Sequence, residues 1–122
     1  MSKQSLNLGK AGEDKAVKLL EENGYRILAR NYKTRFAEID IIAKDKDTIC
    51  FIEVKIRAQD RFGDPKEAVN LAKQRKISFA AMQFLKERGL FDEKARFDVV
   101  SILEAGNAAK VEIVKDAFEC GG

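Results

Sequence analysis

Phe36-Ala37-Glu38-Ile39-Asp40-Ile41-Ile42-Ala43-Lys44, the turn formers Asp45-Lys46-Asp47, and Thr48-Ile49-Cys50-Phe51-Ile52-Glu53-Val54-Lys55-Ile56 decide the fold. Two isoleucine-rich runs flank a short polar turn, the pattern of paired antiparallel strands. Strand side chains alternate between faces. In the later run, Ile49, Phe51, Glu53 and Lys55 share one face and Cys50, Ile52, Val54 and Ile56 the other. Both faces are mostly apolar, as in a central strand covered on both sides. An unpaired charge there is costly, so Glu53 and Lys55 need a reason to be present.

A two-residue turn at Lys46-Asp47 sets Ile42 opposite Phe51, Asp40 opposite Glu53, and Glu38 opposite Lys55. The other face then holds Ile39, Ile41 and Ala43 against Val54, Ile52 and Cys50, with no charge on it. A slip of one residue exchanges faces and mixes charge into the apolar side, so burial selects the first register. In that register the Asp40 and Glu53 Cβ atoms lie about 5 Å apart, an unfavourable place for two like charges. A divalent cation between them removes the penalty, since hard ions take oxygen ligands and often use one or two carboxylates with substrate phosphates. Lys55 shares their face. A cation and a lysine beside a phosphate stabilise the charge that develops during phosphodiester hydrolysis.

Outward from the hairpin, residues 8–23 read as a helix, with Ala16, Val17, Leu19 and Leu20 at helical spacing and Asn23-Gly24 as its stop. Glu13 falls one turn before Ala16, Val17 and Leu20 on the apolar stripe, so it points inward; Gly9 and Gly12 permit close backbone approach there. Residues 25–29 form a short strand and residues 57–63 a polar loop. Asp64-Pro65 opens a long helix, with Asp64 as N-cap and Glu67 completing a capping box. That helix runs to about residue 88 and ends at Gly89. Strands follow at 96–103 and 110–114. The order α-β-β-β-α-β-β describes an α/β fold, a mixed central sheet flanked by helices.

The chain has 122 residues, fitting one domain over residues 1–122, with residues 1–7 and 115–122 expected as flexible ends. It has no histidine, which excludes Ser-His-Asp and Cys-His catalysis and histidine-bound zinc or haem. Two cysteines, Cys50 and Cys120, make neither a Cys-x-x-Cys site nor a disulfide framework, and reduced thiols fit a cytoplasmic setting. No stretch is apolar enough for a membrane span, and the polar start Met1-Ser2-Lys3-Gln4-Ser5 leads into no signal core, so neither membrane residence nor export is expected. The net charge of +3 suits a nucleic-acid partner and an ordinary solvated surface equally.

Plainer roles stand beside each candidate. Strand-end carboxylates are mostly solvated, and Glu38 opposite Lys55 makes an ion pair of small value. Glu13 near a helix N-terminus is favoured by the dipole alone. Asp98 after Arg96 reads as a salt-bridge partner. Lys73, Gln74, Arg75 and Lys76 on the long helix, like Arg57 and Arg61 in the loop, form either a solvated face or a grip for phosphates.

Asp40, twelve intervening residues, then Glu53-Val54-Lys55 resembles the D…(D/E)-x-K signature of the restriction-endonuclease-like PD-(D/E)XK nucleases. The wider set resembles the YraN family, small bacterial proteins related to archaeal Holliday-junction resolvases. That set is Gly12-Glu13, Gly24-Tyr25, Asn31, Glu38-Ile39-Asp40, Phe51 to Lys55 with Arg57, Phe62-Gly63, Lys73 and Arg96-Phe97-Asp98-Val99-Val100. The resemblance implies a restriction-endonuclease-like core and Mg²⁺ or Mn²⁺ held by Asp40, Glu53 and the Val54 carbonyl. Lys55 is then the catalytic lysine, and Glu13 completes the catalytic and metal site. Lys73 or Gln74 assists the site or touches DNA, and Arg57, Arg61 and Lys76 join the DNA contact. It implies endonuclease action on DNA, with branched or Holliday-junction DNA as substrate. A four-way junction has paired strands to cut, which calls for a homodimer. Ala37 departs from the family's usual glycine. A nucleic-acid-binding module of nuclease ancestry and a protein-interaction scaffold are the rival readings, and neither needs the acidic residues with their lysine.

Overall fold

The computed structural model describes residues 3–58, 71–105 and 108–118, with side chains described for residues 11–56, 71–103 and 110–118. Its elements are helix α1 (Lys3–Glu22), strands β1 (Tyr25–Lys33), β2 (Glu38–Asp45) and β3 (Thr48–Ala58), helix α2 (Leu71–Arg88), and strands β4 (Lys94–Ala105) and β5 (Ala108–Phe118). The expected order α-β-β-β-α-β-β is the observed one. The five strands form one mixed sheet in the order β1-β2-β3-β4-β5. Only β3 and β4 pair in parallel, and α2 lies between them in the chain, as a parallel connection requires.

The hairpin register follows the burial argument. Asp45 pairs with Thr48, Ala43 with Cys50, Ile42 with Phe51 and Ile41 with Ile52. Lys46 takes φ 56°, the sign that a two-residue hairpin turn needs at its first position. Strand β3 is central and covered on both sides. Ile49 and Phe51 pack under α2 with Ile77, Ala80 and Phe84. Cys50 and Ile52 pack under α1 with Ala16 and Leu20. Cys50 is a fully buried small core residue, and burial pushes its thiol up to about 12.

Several boundaries differ from expectation. The first helix begins at Lys3, not residue 8, and Gly24 at φ 87° ends it where the Asn-Gly stop indicated. Strand β1 runs nine residues to Lys33; its polar second half hides the strand because it is a sheet edge facing water. β5 runs to Phe118, whose ring stacks on Phe97 at 4.6 Å, so residues 115–118 belong to the sheet. The Asp64-Pro65 helix start lies outside the described residues. Among the described residues, no helix is long and apolar enough to cross a membrane.

One close approach sets α1 against the sheet. A methyl at Gly12 would fall 2.3 Å from Ile56 Cδ1, so any larger residue there makes the Ile56 side chain move aside. At the far end a buried polar network ties β1, β2, β4 and β5 together. Asp98, fully buried, accepts from Arg96 Nε (3.0 Å), Tyr25 Oη (3.2 Å) and the Asp116 main-chain N–H (2.9 Å). Arg96 Nη2 also donates to Asp45 Oδ2 at 2.7 Å. The salt-bridge role read for Asp98 is thus the observed one.

Candidate active site

The hairpin ladder stops one step short of the acidic residues. Ile41–Ile52 is its last rung. Continued, the ladder would have Val54 exchange main-chain bonds with Ile39. Instead the Val54 N–H donates to Asp40 Oδ2 at 2.8 Å. A carboxylate takes the place of a strand carbonyl, and the two strands part there. The N–H and C=O of one strand residue leave on the same side, so the Val54 carbonyl opens into the same gap.

The parting corrects three expected pairings. Asp40 does not pair with Glu53 in the ladder. Ile39 does not meet Val54 across the ladder; it swings to the α2 side and packs with Ile42, Phe51 and Ile77. Glu38 does not face Lys55 either. It pairs with Lys33 of β1. Lys55 is therefore not taken up by Glu38, and its Nζ stands 3.5 Å from Glu53 Oε1.

Glu53 is 8% exposed, low for a carboxylate. Lys73, in the first described turn of α2, donates to its Oε1 at 2.6 Å. The sequence offered Lys73 a role at the site or on DNA; in the structure its ammonium stands against Glu53. Burial disfavours the Lys73 charge, yet the Glu53 hydrogen bond and charge, with Lys55 and Asp40 contributing, raise its ammonium above the ordinary value. Asp40 moves upward as well, to about 7. Burial is the main cause and the Glu53 charge the next; the Val54 amide opposes the rise, Glu13 adds to it, and Lys73 opposes it. The Glu53 charge thus acts on Asp40, although the two do not form the cross-strand rung that the register argument set between them.

Glu13 reaches this end of the hairpin from α1. Arg30 Nη2 lies 3.8 Å from its Oε1 and 2.8 Å from Asp14 Oδ1. Asn31, with its amide oriented to suit its neighbours, donates to Glu13 Oε1 at 3.2 Å and to Glu38 Oε1 at 3.1 Å. Asn31 sits at φ 52°, a conformation asparagine tolerates better than most residues. Its bridging role was missed because nothing in the local pattern marks which carboxylates an asparagine will meet. Among the described residues no group of three or more Asp, Glu or Cys side chains is placed to hold an ion. Glu13 therefore bears on the site through its charge.

The fit to a divalent ion rests on donor chemistry. Asp40 and Glu53 are hard oxygen donors near enough for the Glu53 charge to push the Asp40 carboxyl up, and Mg²⁺ is commonly held by one or two carboxylates with other oxygens, such as a main-chain carbonyl, completing the shell. Of the residues expected on DNA, Lys76 is exposed on α2, together with Arg75. Gln74 is half-buried and its main-chain carbonyl accepts from Ser78 Oγ at 2.8 Å. Arg57 lies in the last turns of β3 with its side chain outside the described set, and Arg61 lies outside the described residues.

A family pattern described as the uncharacterised protein family UPF0102 matches residues 12–102. A UPF0102 protein of Desulforapulum autotrophicum is 50% identical over 119 residues, covering 98% of both chains. One from Syntrophus aciditrophicus is 49% identical over 116 residues, covering 95% of this chain and 91% of its own. One from Syntrophotalea carbinolica is 43% identical over 122 residues, covering 100% of this chain and 99% of its own.

Proposed function

This chain belongs to the uncharacterised protein family UPF0102, and from that premise we propose that it is a metal-dependent, endonuclease-like hydrolase of DNA phosphodiester bonds. Branched or junction DNA is the substrate class implied by its resemblance to the YraN family, relatives of Holliday-junction resolvases. One observation carries the reading. Asp40 leaves the ladder, and its carboxylate holds the Val54 amide beside the buried Glu53. A purely structural hairpin end gains nothing from two coupled carboxylates in a half-buried gap.

Asp40, Glu53 and the Val54 carbonyl would hold Mg²⁺ or Mn²⁺. Such an ion, when bound, supplies charge stabilisation at a phosphate and a more acidic water. The protein's own groups do the rest. Lys55 presents its ammonium beside Glu53 to an anionic phosphate oxygen. Lys73 holds the Glu53 carboxylate in place. Glu13 keeps the field around Asp40 negative, which favours a cation there. Arg75 and Lys76 grip the nucleic-acid backbone, joined by Arg57 near the end of β3 and Arg61 beyond it in sequence. The test is cleavage of junction, flapped and duplex DNA with Mg²⁺ or Mn²⁺, by the wild type and by Glu53→Ala. Metal-dependent cutting by the wild type alone supports the reading; equal cutting by both, or none by either, overturns it.

A second reading is a nucleic-acid-binding module without catalysis. Lys73 at 2.6 Å and Lys55 at 3.5 Å already balance the Glu53 charge with no ion. This reading predicts salt-sensitive binding that survives Asp40→Ala, and no cleavage under any metal.

A further inference from the structure

A second cluster stands near the carboxylates and is not explained by them. In the turn between β1 and β2, the exposed Arg35 guanidinium lies over the Phe36 ring, 4.9 Å from its centroid. Phe36 lies 5.3 Å from Phe79 of α2, the rings tilted by 35°. Phe79 is 45% exposed. One turn earlier on the same helix stand the exposed Arg75 and Lys76, i−4 and i−3 to Phe79 and so beside it on the helix surface. An aromatic pair half open to water, capped by one cation and flanked by two more, is poor core and a good stacking surface.

Its position relative to the site is fixed by both elements that build it. Phe79 follows Lys73 by six residues, about 9 Å along the helix. Phe36 sits in the turn that leads into β2, four residues before Asp40 in the chain. The helical separation of Phe79 from Lys73 matches roughly three bases stacked at ~3.4 Å. We propose that Arg35, Phe36 and Phe79 form a stacking platform for unpaired nucleotides, with Arg75 and Lys76 holding the adjoining phosphates, so that this protein selects nucleic acid carrying a single-stranded segment beside the scissile phosphate. The site where the strand is cut rests on the reading above; the platform itself does not. Aromatic faces accept any base, so discrimination is between unpaired and paired bases, not between sequences.

The experiment is fluorescence anisotropy in EDTA, which removes cleavage from the readout. The probes are labelled oligo(dT), a blunt duplex of equal length, and that duplex with a single-stranded overhang. The proposal expects the wild type to prefer oligo(dT) and the overhang to the blunt duplex. Phe79→Leu keeps an apolar side chain at this half-exposed position but loses the ring, and should weaken binding to the unpaired probes roughly tenfold while leaving the blunt duplex unchanged. Phe79→Tyr keeps the ring and should retain binding. The chain has no tryptophan, so Phe79→Trp gives a single reporter whose emission oligo(dT) should quench by stacking. Equal binding of all three probes by the wild type, no loss in Phe79→Leu, or unquenched emission from Phe79→Trp each overturns the platform, leaving Phe36 and Phe79 as a cover over the sheet edge. Unpaired-strand preference without any metal-dependent cutting upholds the platform and defeats the nuclease reading, so the two fail separately.

Discussion

Asp40→Asn should make the protein more stable above neutral pH. The native site holds this carboxyl at about 7 against an ordinary 3.8. Below about pH 4 both folded and unfolded chains carry the proton, so the group contributes no difference. Between about pH 4 and 7 the unfolded chain ionises first, and folding loses stability as pH rises; above 7 the loss is complete. A shift of about three pH units at ~1.36 kcal/mol each sets a ceiling of ~4 kcal/mol, and solvent reaching the half-buried side chain lowers the expected value to about 2 kcal/mol. Asparagine keeps an acceptor oxygen for the Val54 amide, so the hydrogen bond survives the substitution. The assay is urea unfolding in EDTA from pH 4.5 to 8.5. The variant should gain steadily on the wild type up to about pH 7 and then hold level. A variant less stable than the wild type at pH 8, or a gap that does not change with pH, would show that Asp40 is not held in a charge-averse site.

Asp98→Ala strands Arg96 and Tyr25 without their shared buried acceptor and should cost about 3 kcal/mol; a loss below about 1 kcal/mol by urea unfolding would mean that water replaces the network. Gly12→Ala drives a methyl into Ile56, and Ile56→Ala should relieve it, with a coupling of about 1 kcal/mol in a double-mutant cycle; additive effects would place the clash elsewhere. Glu53→Gln should abolish metal-dependent cleavage while nucleic-acid binding in EDTA persists, and full activity in that variant would remove Glu53 from the site.

The hairpin register was legible because only one pairing keeps charge out of a two-sided core, and burial enforces that choice over five rungs. The same logic over-reached at Ile39. Alternation is a rule of regular strands, and at Asp40 a side chain replaces a main-chain partner, so the strand turns and its neighbour changes face. Lys73 could be placed near the site but not assigned its partner, since twenty residues separate it from Glu53 and helical spacing gives only a direction. The link of Tyr25, Asp45 and Asp98 through Arg96 spans all but two strands of the sheet and has no local signature. Phe36 and Phe79 passed unnoticed for a related reason: on a sequence, an exposed aromatic and a buried one look alike.

The central claim is that Asp40 and Glu53 jointly hold one ion. Calorimetric titration of Mn²⁺ at pH 8 tests it directly, with the wild type, Asp40→Asn, Glu53→Gln and the double variant. One ion per chain should bind the wild type, each single change should weaken it at least tenfold, and the double change should add little to the worse single. No binding by the wild type, or two losses that simply add, would contradict a shared site.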